Sequence, residues 1–163
     1  MATIWKEEDV TLENLASHIT DSGLTSMHLE ENRILLRTDT GTGFSIALDE
    51  EQKFIRISTY LPLDKKQSRD KKLALEHRFN EEIMLPTFCV DEDDDLHVLY
   101  VMSYRFGLIA GQFMSIVNRF DSLLEYIVRS QNEDRIIRLG AGREEDDVPA
   151  LDNRPGAEGV LLN

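Results

Sequence analysis

The sequence contains only one cysteine, Cys89, among 163 residues, and this scarcity excludes several kinds of chemistry. One cysteine cannot form an intrachain disulfide, and with four scattered histidines it makes no cluster of zinc ligands. Phe88 and Val90 flank it, so we expect a small buried strand residue rather than a reactive thiol. The sequence therefore predicts no metal site, no cofactor, and a reducing cytoplasm as the compartment.

Basic residues and long apolar runs are also scarce. Lysine and arginine total 18 against 31 aspartates and glutamates, which gives a formal net charge of −13. Nucleic-acid binders need a basic surface that displaces counterions from phosphates, and an anionic membrane surface would repel such an acidic chain. No apolar stretch reaches the roughly 18 residues of a membrane span, and no basic N-terminal region precedes an apolar one. We expect neither nucleic acid nor membrane as a partner.

Motifs of common enzyme classes are missing as well. The chain has no Gly-x-Ser-x-Gly elbow and no His-Glu-x-x-His helix. Gly41 and Gly43 could suggest a phosphate-binding loop, but no helix pattern follows them and no Lys-Ser/Thr pair completes it. The glycines are more typical of a hairpin turn. We predict that the protein is not an enzyme and has no catalytic residues.

One cluster does suggest a site, because residues 91–95 are five consecutive carboxylates. A calcium-binding loop of the helix–loop–helix kind needs glycine at its sixth position and a bidentate glutamate at its twelfth. Counted from Asp91, those positions hold Leu96 and Met102, and both flanks have strand patterns. We interpret the cluster as a solvated turn between two strands. A small-ligand or divalent-cation sensor that uses this turn remains the alternative function.

Periodic apolar residues indicate one α+β domain. Helical spacing predicts helices at 11–23, 68–85 and 108–131. Two-residue alternation predicts strand segments at 24–30, 33–38, 41–49, 53–61, 87–90 and 96–106. Their short separations favour an antiparallel arrangement, and the third and fourth segments can form one hairpin. The predicted fold is a twisted antiparallel sheet of about five strands packed by three helices, in the order α-β-β-β-α-β-β-α.

Two further expectations concern the longest strand and the C-terminus. The segment 96–106 carries apolar residues on both faces, which is typical of a strand near the sheet centre that is covered on both sides. From residue 132 the periodicity dissolves, so we divide the chain into a domain at 1–131 and an acidic, flexible tail at 132–163. Within that tail, the segment "IIRL" at 136–139 is apolar enough to dock locally.

The second half of the chain resembles a known family. The run "FNEEIMLPTFCVDEDDDLHVLYVMSYRFGLIAGQF", residues 79–113, and "IVNRF" after it look like the YbjN-type sensory-transduction regulators of bacteria. Members typically carry an asparagine at the end of the middle helix, here Asn80, then a strand, an acidic turn and a second strand. A long apolar helix with aromatic residues follows, here Phe113 and Phe120. The resemblance covers about residues 10–130.

This resemblance implies a fold similar to that of type III secretion chaperones, which are commonly dimeric. Proteins of that kind bind extended or partly helical polypeptides on apolar patches, without a cofactor and without turnover. The expected function is therefore a non-enzymatic protein-binding regulator or chaperone-like module, acting as a homodimer or on another protein.

The residues give this function a physical basis. The predicted sheet is too rich in apolar faces for three helices to cover, so surplus apolar surface is available for a partner. Strand addition to an exposed sheet edge is another route. The candidate contact residues lie on the middle helix and the long strand: Leu73, Phe79, Ile83, Tyr100, Met102 and Tyr104.

Overall fold

Three helices form at the predicted places in the computed structural model, which describes residues 3–24 and 26–138. Their bounds are α1 Leu12–Asp21, α2 Arg69–Glu82 and α3 Ala110–Ser130. Thr11 caps α1, since its hydroxyl accepts a hydrogen bond from the Asn14 N–H at 3.2 Å. Helix α2 ends three residues earlier than predicted, because Pro86 disfavours helical geometry in the residue before it.

Within the part of the chain that the structure describes, eight strands form two antiparallel sheets. Their bounds are β1 Ile4–Trp5, β2 Met27–Leu29, β3 Ile34–Arg37, β4 Gly43–Asp49, β5 Phe54–Leu61, β6 Thr87–Val90, β7 Leu96–Ser103 and β8 Leu108–Ile109. The main sheet has six strands in the order β2-β3-β4-β5-β7-β6, and β1 pairs with β8 in a small separate sheet. The predicted α+β fold is confirmed with a slightly different strand count, because four strands rather than three separate α1 from α2.

The helices pack against one face of the main sheet. Ile46 lies between Ile34 and Ile57 in register, and all three are fully buried on this face. The aromatic rings of Phe44 in β4 and Phe120 in α3 pack between the sheet and the helices, with centroids 5.4 Å apart. On the opposite face, residues such as Leu35, Ala47 and Leu99 are only half-buried. We call this opposite side the bare face, because no described helix covers it.

The expectation that the longest strand is covered on both sides is therefore wrong. Val98 of β7 is fully buried on the helix side, whereas Leu99 is half-buried and Val101 is 41% exposed on the bare face. Apolar residues on both faces of a strand therefore do not show whether both faces are buried or one of them stays exposed to solvent.

Residues after α3 return to the domain. Leu63 and Ile137 form an antiparallel bridge, and the Asp64 N–H donates to the Ile136 carbonyl at 2.7 Å. Ile136 and Ile137 are buried, so the expected docking of "IIRL" is seen as far as Arg138. Residues 139–163 lie outside the described residues, and their flexibility stays a prediction. Within the described ranges, no helix is long and apolar enough to cross a membrane.

Candidate protein-binding surface

Helix α2 closes the outer edge of strand β6 with polar side chains. The Asn80 amide donates to the Phe88 carbonyl and accepts from the Phe88 N–H, both at 2.9 Å. The Glu76 carboxylate accepts from the Val90 N–H at 2.6 Å. Alternate residues of an edge strand point their backbone groups away from the sheet, and these are the groups that α2 binds. Another strand therefore cannot add to β6.

Strand β7 is longer than its neighbour β6, so only part of its outer edge is paired. Strand β5 pairs with all of β7, whereas β6 pairs only with Leu96–Leu99. Among the described residues, no strand pairs with Tyr100–Ser103 on that outer side. We call Tyr100–Ser103 the open edge.

The open edge presents backbone groups outward. The Tyr104 N–H donates to the Lys53 carbonyl at 2.9 Å, so even-numbered residues of β7 hydrogen-bond towards β5. Because the direction alternates along a strand, the N–H and C=O of Val101 and Ser103 point away from β5. Unpaired groups of this kind form a template for another strand.

Four of the six predicted contact residues retain exposed surface. Tyr100 and Met102 are half-buried on the helix side of the open edge. Ile83, directly after α2, is also half-buried. Leu73 is 41% exposed but lies ten residues earlier, about 15 Å along a helix. The structure therefore groups Tyr100 with Met102 and leaves Leu73 apart.

The other two predicted contact residues belong to the core. Phe79 is fully buried and its ring centroid lies 5.2 Å from that of Phe88. Tyr104 is 1% exposed. Neither offers surface to a partner in this conformation, because almost no part of either residue reaches solvent.

The connection from α2 to β6 adds apolar surface next to the open edge. Met84 is 84% exposed, and Leu85 has φ 111°, a conformation that costs a side-chain-bearing residue about 1–3 kcal/mol. Thr87 pairs with Leu99, so this connection reaches the sheet beside Tyr100. Sequence reasoning missed Met84 because the predicted helix continued to residue 85. The signal was Pro86, which disfavours helix in the residue before it.

The acidic segment 91–95 is the turn of the β6–β7 hairpin, as predicted. Asp94 binds two cations of α2, with Arg69 Nη1 at 2.5 Å and Lys72 Nζ at 3.1 Å. Lys65 Nζ lies 3.2 Å from Asp95 Oδ1. Three cationic side chains of the protein thus offset part of the negative charge of this turn. Over residues 3–24 and 26–138, no three His, Cys, Asp or Glu side chains are arranged to hold a metal ion.

Lys72 gives this turn its main electrostatic contact. The Lys72 side chain is fully buried, and its ammonium group is paired with the Asp94 carboxylate, which is one-third exposed. The hydrogen bond from Lys72, and after it the one from Arg69, lowers the pKa of Asp94. This pair joins the first turn of α2 to the hairpin turn. We call Arg69, Lys72 and Asp94 the latch between these two elements.

Cys89 lies on the bare face and is exposed, so its predicted burial is wrong. It pairs with His97, whose ring stacks on Tyr60 with centroids 4.4 Å apart. Partial desolvation, followed by the carboxylates of Glu76 and Asp91, raises the pKa of the Cys89 thiol. Burial lowers the pKa of His97. A protonated thiol beside a neutral imidazole is not an activated nucleophile.

Comparison with known proteins extends this description. The sequence model of the YbjN family, described as "Putative bacterial sensory transduction regulator", matches residues 11–129. No curated protein matches the chain significantly.

Solved structures show the same fold. The crystal structure of YbjN from E. coli matches with a TM-score of 0.65 and 17% identity, over 80% of this chain and 97% of that chain. A chain of the HopA1-SchA chaperone-effector complex matches with a TM-score of 0.50 and 14% identity, over 70% and 87%. A chain of the ExsC-ExsE complex matches with a TM-score of 0.52 and 16% identity, over 71% and 89%. The predicted chaperone-like fold is confirmed.

Proposed function

Because the chain belongs to the YbjN family, whose model matches residues 11–129, we propose that it is a non-enzymatic regulator that binds other polypeptides. The fold supports this proposal, since it is shared with a chain of a chaperone-effector complex. In this proposal, the apolar surfaces of the sheet and of helix α2 are the binding surfaces, and the protein acts in the cytoplasm.

The open edge is the observation that carries the proposal. Val101 and Ser103 direct backbone donors and acceptors outward, and Tyr100 and Met102 supply half-buried apolar groups beside them. An extended segment that adds to this edge would gain main-chain hydrogen bonds and alternate side-chain contacts together. Met84 is exposed at the end of this edge where the added segment would meet the α2–β6 connection.

We propose Leu73, Ile83, Tyr100 and Met102 as contact residues on these surfaces. Phe79 and Tyr104 support them from the core, because both are buried. Ile83, Tyr100 and Met102 would contact a strand added at the open edge. Leu73 would contact only a longer partner that also follows the exposed side of α2.

A second copy of the chain is the simplest occupant of the open edge, and we propose a homodimer on this ground. Two antiparallel copies of Tyr100–Ser103 would present the same groups to one another, as a two-fold interface requires. In the alternative proposal of a cation sensor, the ion would have to displace Arg69, Lys72 and Lys65 from the acidic turn. The contacts of the turn therefore favour protein binding.

Val101→Pro tests strand addition at the open edge. Proline removes the outward N–H of Val101 but no hydrogen bond to β5, so the fold should remain. Val101→Thr keeps that N–H and serves as the matched control. We expect light scattering coupled to size-exclusion chromatography to show dimers for the wild type and Val101→Thr, and monomers for Val101→Pro. Proteins enriched with the wild type from the native cell should likewise be lost only with Val101→Pro.

Two results would contradict this function. A strictly monomeric wild type at high concentration would exclude the homodimer. Identical sets of enriched proteins for Val101→Pro and Val101→Thr would exclude the open edge as the binding surface for other polypeptides.

A further inference from the structure

The turn between β7 and β8 presents an aromatic side chain to solvent. Phe106 is 94% exposed, the highest exposure among the large apolar residues of residues 3–24 and 26–138. It has φ 73° as the third residue of a four-residue turn closed by a hydrogen bond from the Gly107 N–H to the Tyr104 carbonyl. Glycine or asparagine is usual at such a position. Phenylalanine is thus unfavourable here in both backbone conformation and solvation.

Hydrogen bonds hold the backbone of the turn that carries Phe106. The Phe106 N–H donates to Glu7 Oε2 at 3.0 Å, and the Arg105 N–H donates to the Ser103 hydroxyl at 3.2 Å. With the Gly107 bond, three consecutive N–H groups are fixed. A Cβ at position 107 would lie 2.7 Å from the Trp5 carbonyl oxygen, so only glycine fits there. A backbone fixed in this way loses little conformational entropy when a partner binds Phe106.

Other apolar side chains lie beside Phe106. Ile4 and Ile109 are register partners in the small sheet, and they are 68% and 36% exposed. A Cβ at Gly107 would lie 3.9 Å from Ile4 Cγ2, which places the isoleucine next to the turn. We call Phe106, Ile4 and Ile109 the Phe106 knob. It is a projecting apolar surface, so a partner must supply a complementary apolar surface.

Acidic segments lie beside the turn that carries Phe106. Glu7 binds this turn directly. Burial, and after it the carboxylates of Glu50, Glu7 and Asp49, raises the pKa of the neighbouring Tyr104. The short 3₁₀ helix Glu7–Asp9, the end of β4 and the β4–β5 turn together contribute six carboxylates: Glu7, Glu8, Asp9, Asp49, Glu50 and Glu51. Three cations partly offset them: Lys6, Lys53 and Arg105. The rim of the knob therefore has an excess of negative charge.

We infer that the Phe106 knob binds a basic amphipathic segment of a partner protein, whose apolar side receives Phe106 and whose Lys or Arg residues meet the acidic rim. A second copy is disfavoured at this surface, because two acidic rims would face one another. The tail at 139–163 is disfavoured for the same reason, since it has six acidic and two basic residues. This surface adjoins the end of the open edge, where the Arg105 N–H donates to the Ser103 hydroxyl, but the inference does not depend on strand addition there.

The test uses the full chain and three labelled helical peptides of matched length, built from leucine with lysine, glutamine or glutamate. Binding is measured by fluorescence anisotropy for the wild type, Phe106→Asn and Tyr126→Asn. The last variant is the matched control, because Tyr126 is an exposed aromatic residue of α3 that belongs to neither proposed surface. All three proteins have the same net charge, so non-specific attraction of the lysine peptide is equal among them.

We expect the wild type to bind the lysine peptide most tightly, and Phe106→Asn to weaken this binding at least about tenfold, as loss of an interface hot spot does. Tyr126→Asn should bind as the wild type does. Thermal unfolding of Phe106→Asn should occur at the same or a higher temperature, because asparagine tolerates a positive φ.

Several outcomes would overturn this inference. Equal binding of the lysine peptide by Phe106→Asn and the wild type would remove the knob as its site. A lower unfolding temperature for Phe106→Asn would assign Phe106 a structural role. Dimers that dissociate in Phe106→Asn but persist in Tyr126→Asn would make the occupant a second copy.

Discussion

At the scale of single residues, Asn80 decides which edge of the main sheet can bind a strand. Its amide satisfies both backbone groups of Phe88, so β6 is closed while β7 beyond Leu99 is open. No other common side chain of this length offers one donor and one acceptor in the geometry of a backbone amide. The position therefore does more than end a helix.

Replacing Asn80 with alanine should destabilise the protein. Two buried backbone groups of Phe88 would lose their partner, which costs about 1–3 kcal/mol for each group left unsatisfied. Asn118→Ala on the exposed side of α3 is the control, since it brings the same gain in helix propensity. Urea denaturation measures the free energy of unfolding of each variant. Equal stability of the two variants would show that water replaces the Asn80 amide.

Sequence reasoning identified Asn80 only by resemblance, and the physical role appeared with the structure. A side chain–backbone pair eight residues apart leaves no periodic signal, because it depends on where the chain returns after Pro86. Phe106 was missed for a related reason. Its exposure follows from a tight turn with positive φ, and an aromatic residue in a sequence predicts burial by default.

At the scale of elements, the latch between α2 and the β6–β7 turn connects a helix start to a hairpin. Lys72, fully buried, and Arg69 bind the two carboxylate oxygens of Asp94, which itself has φ 63°. The five adjacent carboxylates at 91–95 look like a cation site in the sequence, because the three cations that pair with Asp94 and Asp95 lie more than twenty residues before them. A sequence pattern covers neighbouring residues, whereas the cations that pair with these carboxylates come from a distant segment.

Asp94→Asn should destabilise the protein at neutral pH, because the Lys72 ammonium would remain buried without its counter-charge. The cations lower the pKa of Asp94 in the folded state. Its stabilisation is therefore complete at neutral pH and is lost as the pH falls below about 4 and through the folded-state pKa. Urea denaturation at pH 7 should separate Asp94→Asn from the wild type, and at pH 3 the difference should shrink.

Glu92→Gln provides the control for this pair, since Glu92 is an exposed carboxylate of the same turn. It should match the wild type at both pH values. Lys72→Met should lose less stability than Asp94→Asn at pH 7, because it leaves Asp94 with Arg69 and places an apolar chain in the buried site. If Asp94→Asn were as stable as the wild type at pH 7, the latch would have no energetic role.

At the scale of the whole molecule, the sequence was sufficient for the fold class, the helices and the antiparallel sheet, since these depend on periodicity. The predicted end of the domain at residue 131 stays a prediction. Ile136 and Ile137 are buried against the segment after β5, although the sequence around them has no sustained pattern. Two buried residues in a short segment are too few to define a period.

Truncation tests where the domain ends. A chain ending at Arg138 should unfold with the same free energy as the full chain, whereas one ending at Gln131 should be less stable because it lacks Ile136 and Ile137. Ile137→Ala in the full chain should cost about 2–5 kcal/mol. The Ile4→Ala control should cost little, since Ile4 is largely exposed. Equal stability of the two truncated chains would support a domain that ends at 131.

The single thiol also allows occupancy of the bare face to be measured without a mutation. Cys89 is the only cysteine of the chain, and it lies exposed on that face. Its raised pKa makes alkylation slow at neutral pH and faster as the solution becomes alkaline. The rate at which Cys89 is alkylated at a chosen pH therefore indicates whether the bare face is occupied. A partner that covers the bare face around Cys89 will slow alkylation of its sulfur. This binding can therefore be detected with the unmodified protein.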